Sequence, residues 1–198
     1  MFSILPLFAV SLSKSLSKYG SRWKLVFYQN TNGGVFFSQI NDGLFCDNAR
    51  SYSILSNLDE SYKFNGKYEF LLEYPAVTGY NRWRQSLNPI NDIETNDKTA
   101  IGYEAVHIDW TAKFWGGLVR SSSSYSLLDG SAGTSHWWYA IGVITNGYSP
   151  NFPGPAIEGL SDGTPVQEVY LWVRTTDMTS NAAYKFKLLF MIAQSLLF

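Results

Sequence analysis

The chain has 198 residues with 15 Lys and Arg against 16 Asp and Glu, a net charge of −1, so no surplus of positive charge exists to neutralise phosphates and nucleic acid is excluded as an expected partner. Aromatics make up 17% of the residues and charged groups only 16%, a balance that offsets ordering entropy through ring burial and excludes wholesale disorder. The lone cysteine, Cys46, excludes an internal disulfide and a CxxC-type metal cluster, and the burial habit of free cysteine favours a small apolar filler over a reactive thiol.

In chain order, the apolar run at 2–10 has the length of a secretory h-region and is too short to span a bilayer. Residues 1–13 are therefore expected to be a signal peptide, with an ordered first strand as the competing reading. A single domain is expected over 14–187, a usual one-domain length. Within it, 23–29, the turn Asn32-Gly33-Gly34 and Val35-Phe36-Phe37 predict a hairpin. The segment 52–60, with Ile54, Leu55 and Leu58 on one face, is the one short helix expected.

Alternation then predicts strands at 67–74, 104–111, 136–143 and 166–174. In the last of these, Val169, Leu171 and Val173 face one way and leave Tyr170 and Trp172 on the other, under a second layer or as a recognition patch. The glycines of Trp115-Gly116-Gly117-Leu118 predict close packing or a bulge, and Asp129-Gly130 a tight turn. The Asn- and Pro-rich stretches 87–99 and 146–165 are expected as long loops, and Ser121 to Ser124 as a loop tip. Residues 188–198 form an apolar tail that is either a final strand continuing the alternation of 183–190 or a cleaved, membrane-associated end. Many short strands divided by Gly, Pro, Asn and Ser define an all-β chain, a single-domain β-sandwich or jelly roll with long loops.

No motif identifies a reaction. His107 and Asp109 sit two apart and His136 lies elsewhere, but without a third group at a telling spacing neither a metal site nor a catalytic set is expected. No cofactor is expected. What stands out is flat rings beside polar groups at 80–85, 110–115 and 136–139, the combination a sugar requires: rings for its apolar face, polar groups for its hydroxyls. The residues expected to bind are Trp83, Arg84, Gln85, Trp115, Asp129, His136 and Trp137, near loops or strand ends.

The ordered series Trp23-Lys24-Leu25-Val26-Phe27-Tyr28-Gln29, Trp83 to Pro89, Gly102-Tyr103-Glu104-Ala105, Trp115 to Leu118, Leu128 to Ser131, Trp138 to Gly142, Pro153-Gly154-Pro155 and Val169 to Val173 resembles a poorly characterised extracellular β domain of surface proteins in simple eukaryotes. The resemblance covers most of residues 23–174 and implies an extracellular location, with no activity or site residues to carry over. The opening strand is also similar to the start of fibrinogen-related lectin domains, whose cysteines and calcium-loop acids are missing here. The expected function is a secreted or cell-surface module whose partner is a glycan. The alternatives are a structural or adhesive protein contacting a surface protein through exposed aromatic strands, and a glycoside hydrolase-like enzyme with a carboxylate pair.

Overall fold

In the computed structural model, which describes residues 22–93, 99–110, 115–122, 125–131, 139–144 and 166–175, the alternating segments 67–74, 104–111 and 166–174 each hold a strand, 136–143 is strand only at 141–143 with 136–138 outside the described residues, and ten strands form among the described residues. These are β1 (Trp23–Asn30), β2 (Cys46–Asp47), β3 (Ser51–Ser53), β4 (Tyr68–Glu73), β5 (Asn81–Gln85), β6 (Glu104–Ile108), β7 (Trp115–Arg120), β8 (Ser126–Ser131), β9 (Ile141–Val143) and β10 (Glu168–Arg174). They form an antiparallel seven-stranded sheet in the order β2-β3-β1-β10-β4-β5-β6 and an antiparallel three-stranded sheet β7-β8-β9. The expected all-β sandwich is what the chain adopts. The expected signal peptide 1–13, the tail 188–198, the stretch 146–165 expected as a loop, His136 and Trp137 lie outside the described residues.

The inner face of the large sheet carries Phe27, Phe70, Leu72, Trp83, Val169, Leu171 and Val173, which pack with Leu118, Leu127, Tyr139 and Ile141 from the small sheet side. Packing of this kind is strong but non-directional. Direction comes from two buried glutamines that each grip the backbone of one residue across the sandwich. Gln29 on β1 donates through Nε2 to the Val143 carbonyl at 2.9 Å and accepts the Val143 N–H at 2.9 Å. Gln85 on β5 does the same to Leu118 on β7, at 3.0 and 3.2 Å, and its Oε1 also accepts Trp83 Nε1–H at 2.7 Å. Gly117 makes the second grip possible: its φ is +89°, and a Cβ there would lie 2.8 Å from Ala100 Cβ and 3.2 Å from Gln85 Oε1. The bulge expected at these glycines is present, because β7 slips its register against β8 between Trp115 and Val119.

Three local expectations are corrected. The 23–29/35–37 hairpin does not form: Gly34 N–H does close a turn on the Thr31 carbonyl at 3.0 Å, but both edges of β1 are taken by β3 and β10, and Phe37 instead bridges Ile144. The 52–60 helix is replaced by strand β3 and two single 3-10 turns, Leu55–Asn57 and Glu60–Tyr62. Here Asn88 Nδ2 takes the Leu55 carbonyl at 2.7 Å, and Ser53 Oγ accepts the Leu55 N–H at 3.3 Å; these contacts occupy groups a helix would use. Asp129-Gly130 is no turn but lies inside β8, where the missing Cβ of Gly130 leaves room for the Trp115 ring, which that atom would meet at 2.5 Å.

Gln85→Leu keeps the volume but leaves the Leu118 N–H and C=O and the Trp83 indole N–H buried without partners. It is expected to cost about 3 kcal/mol, since each orphaned buried group costs roughly 1–3 kcal/mol. Urea unfolding checks this, and a loss below about 1 kcal/mol would show that the Gln85 clasp is not what holds the sheets in place.

Candidate functional site

Away from the small sheet, the large sheet has a second layer of side chains. The bulge in β1 between Leu25 and Phe27 turns Phe27 inward yet keeps Trp23, Leu25 and Tyr28 together on the outer face, where they join Leu71, Tyr170 and Trp172. Tyr28 and Tyr170 lie 4.8 Å apart, Tyr170 and Trp172 stack at 6.1 Å, and Trp172 Nε1–H donates to Glu73 Oε1 at 3.2 Å. Tyr170 and Trp172 are buried, so of the two alternatives for this face the covered one holds, and these rings are not presented to solvent.

Next to this layer is a polar cluster built by strand register. Glu69 on β4 faces Arg84 on β5, Leu71 faces Arg82, and the Phe70–Val173 pair brings Arg174 of β10 alongside Glu69. The Glu69 carboxylate, only 3% exposed, accepts from Arg82 Nε at 2.7 Å on one oxygen and from Arg84 Nε and Arg174 Nη1, both at 3.0 Å, on the other. Arg82 Nη2 also pairs with it, and the Arg82 guanidinium lies 5.5 Å from the Trp23 ring centre. Burial pushes the Glu69 pKa up, but the arginine hydrogen bonds and charge outweigh it and hold the carboxyl below its ordinary value. Glu104 at the start of β6 pairs with Lys67 at 2.6 Å and with Arg84 at 3.8 Å.

Beyond Arg82, its register partner His107 on β6 stacks on Tyr80, with ring centres 4.4 Å apart and planes at 24°. Asp109 fixes this pair: one carboxylate oxygen accepts the Tyr80 N–H at 2.8 Å and the other lies 3.0 Å from His107 Nε2. Gly79 allows the approach, with φ +109° and a would-be Cβ 2.9 Å from Asp109 Oδ2. Tyr80 packs against the buried outer layer while the His107 side chain, stacked on it, is 47% exposed.

Of the residues expected to bind, the structure brings most together in the interior. Trp83 is fully buried, 5.6 Å from Phe70 and edge-on to Trp115 at 4.8 Å; Trp115 in turn meets Tyr139 at 4.8 Å. Gln85 and Asp129 are buried too. The expectation that these four are displayed is corrected: β5 alternates Asn81, Trp83 and Gln85 inward with Arg82 and Arg84 outward, so a tryptophan on its inner face fills the core. Arg84 alone among the described candidates reaches the surface. His107 and Asp109 form the pair their spacing allowed, and among the described residues no group of three or more metal-ligating side chains exists. Glu69, Arg82, Arg174 and Tyr80 are not among the residues expected to bind, although Arg82 and Tyr80 lie in the ring-rich stretch 80–85. The signal for the first three was the like-charged Arg82 and Arg84 on one face of β5, facing an acid on the charged face of β4.

Cys46 is half-buried against the core, and burial, with Asp47 and Asp42 nearby, pushes its thiol up to about 11. A shift of this size leaves about a hundredfold less thiolate at neutral pH than a free cysteine, so reaction with a disulfide reagent at pH 7.5 is expected to be correspondingly slow and to rise tenfold per pH unit.

Because native Glu69 titrates below its unfolded value of about 4.3, its contribution to stability is complete above that pH and is lost as pH falls through the native pKa. Glu69→Gln is expected to cost about 3 kcal/mol at pH 7, the lower end for breaking a buried pair, and to flatten the acid limb of a stability profile measured from pH 2 to 7. Comparison with protein families, curated proteins and solved structures finds no match to the chain.

Proposed function

We propose that the protein is a secreted or cell-surface binding module that takes a glycan on the outer face of β5 and β6. One observation carries this reading: the His107 ring, held flat by its stack on Tyr80 and by Asp109, lies on the same face as the guanidiniums of Arg82 and Arg84. An oriented aromatic face accepts the C–H side of a pyranose, and fork-shaped donors next to it order hydroxyls. Preorganisation lowers the entropic cost of binding, and every group in this set is already fixed by a second contact. The apolar run at 2–10 and the resemblance to extracellular β domains support the location.

The adhesive alternative is favoured by a different feature. Among the described strands β6 ends the large sheet, and Val106, 39% exposed, and Ile101 lie at this margin, a place where another protein's strand can add. The hydrolase alternative finds no support in Glu69 and Glu104, since arginine and lysine contacts hold both below the ordinary carboxylate range, whereas a general acid needs a raised pKa.

The full chain is tested on a broad glycan panel, with affinities measured by calorimetry. His107→Ala and Tyr80→Ala are each expected to weaken binding at least about tenfold, or 1.4 kcal/mol, with a native-like circular dichroism spectrum. Binding that survives both substitutions, or no binding across the panel, overturns the reading; in the second case strand addition at β6 takes its place.

A further inference from the structure

We propose that Arg82, Arg84 and Arg174 form an oxyanion site, and that on a glycan its ligand is a carboxylate or sulfate group; this assignment of ligand class rests on the glycan reading above. Three guanidiniums from two strands converge on the single carboxylate of Glu69. A guanidinium carries about five N–H donors, and each of the three spends only one or two on Glu69. Their side chains are 32%, 37% and 36% exposed, so unused donors are within reach of solvent.

Charge points the same way. The ion-pair network joins four cations, Lys67, Arg82, Arg84 and Arg174, to two carboxylates, Glu69 and Glu104, and four minus two leaves a surplus of two positive charges. The chain as a whole is at −1, so this surplus is local. Neutralising Glu69 requires one arginine; each further guanidinium adds like-charge repulsion, which a bound anion relieves. Glu69 and the Trp23 ring orient the guanidiniums before a ligand arrives, and Arg82 is the register partner of His107. An acidic sugar stacked on His107 would thus place its charged substituent towards the arginines.

The test compares a sulfated, uronate-bearing oligosaccharide with its desulfated, carboxyl-reduced counterpart on the full chain, and adds sodium sulfate alone while following the arginine Nε–Hε NMR signals. The acidic oligosaccharide is expected to bind at least tenfold more tightly, with affinity falling as NaCl rises. Arg174→Gln is expected to bring it down to the neutral level. Arg174→Lys, which keeps the charge and loses the fork, guards against a folding defect and is expected to recover only part of the preference. Equal affinity for both oligosaccharides overturns the oxyanion site while leaving the glycan reading intact. Sulfate-induced arginine shifts without binding of either oligosaccharide uphold the site and remove the glycan as its source, and absence of both signals overturns the two together.

Discussion

Two sheets in a sandwich share no hydrogen-bond ladder with each other, so their relative placement rests on side chains and on backbone bonds from flanking segments, here Ala100 N–H to the Gly116 carbonyl at 2.8 Å and Arg120 N–H to the Asp92 carbonyl at 2.6 Å. Between the sheet strands themselves, that task falls to buried amides that imitate a peptide unit. Gln29 clasps Val143 and Gln85 clasps Leu118, each offering one donor and one acceptor to the backbone of a single residue. Within the large sheet, Asn81 on β5 makes the same double contact to Trp110, just past β6, donating to its carbonyl at 3.3 Å and accepting its N–H at 3.0 Å. A three-stranded sheet such as β7-β8-β9 gains stability mainly from what it packs on. Rings in contact tolerate sliding, whereas a paired amide tolerates almost none, and so the glutamines convert adhesive packing into one defined arrangement.

The outer face follows from the same alternation. Once Asn81, Trp83 and Gln85 are committed inward, Arg82 and Arg84 must point outward, and β4 places Glu69 between them. A carboxylate with so little exposure is costly without partners, and the register supplies three. The interior grip and the surface cluster are therefore two sides of one five-residue strand, and a change at Gln85 is felt at the arginines through β5 itself.

How much of this the sequence disclosed depended on how unequal the two faces of a strand are. In β10, the triplet Val169, Leu171 and Val173 is plainly apolar, and in β4 the aromatic row faces two acids, so both strands were legible. In β5 the faces read Asn-Trp-Gln and Arg-Arg; polarity on both sides hides which is inner, so Trp83 with Gln85 reads as a display. Gln85 is buried because of a partner some 30 residues onward, and no local pattern encodes that. The 52–60 helix and the Asp129-Gly130 turn failed for a similar reason: local preference yielded to distant contacts from Asn88 and Trp115. His107 and Asp109 were visible as a pair, but their platform needed Tyr80, brought in by pairing of β5 with β6.

The position of β10 has a temporal consequence. It follows every other described strand in the chain, yet it lies between β1 and β4 and pairs with both. Without it, β2-β3-β1 and β4-β5-β6 share no ladder. The last of the described strands is thus the keystone of the large sheet, and closing that sheet needs the chain through Arg174. Contacts spanning this much chain fold slowly, and until β10 docks the facing edges of β1 and β4 stay unpaired.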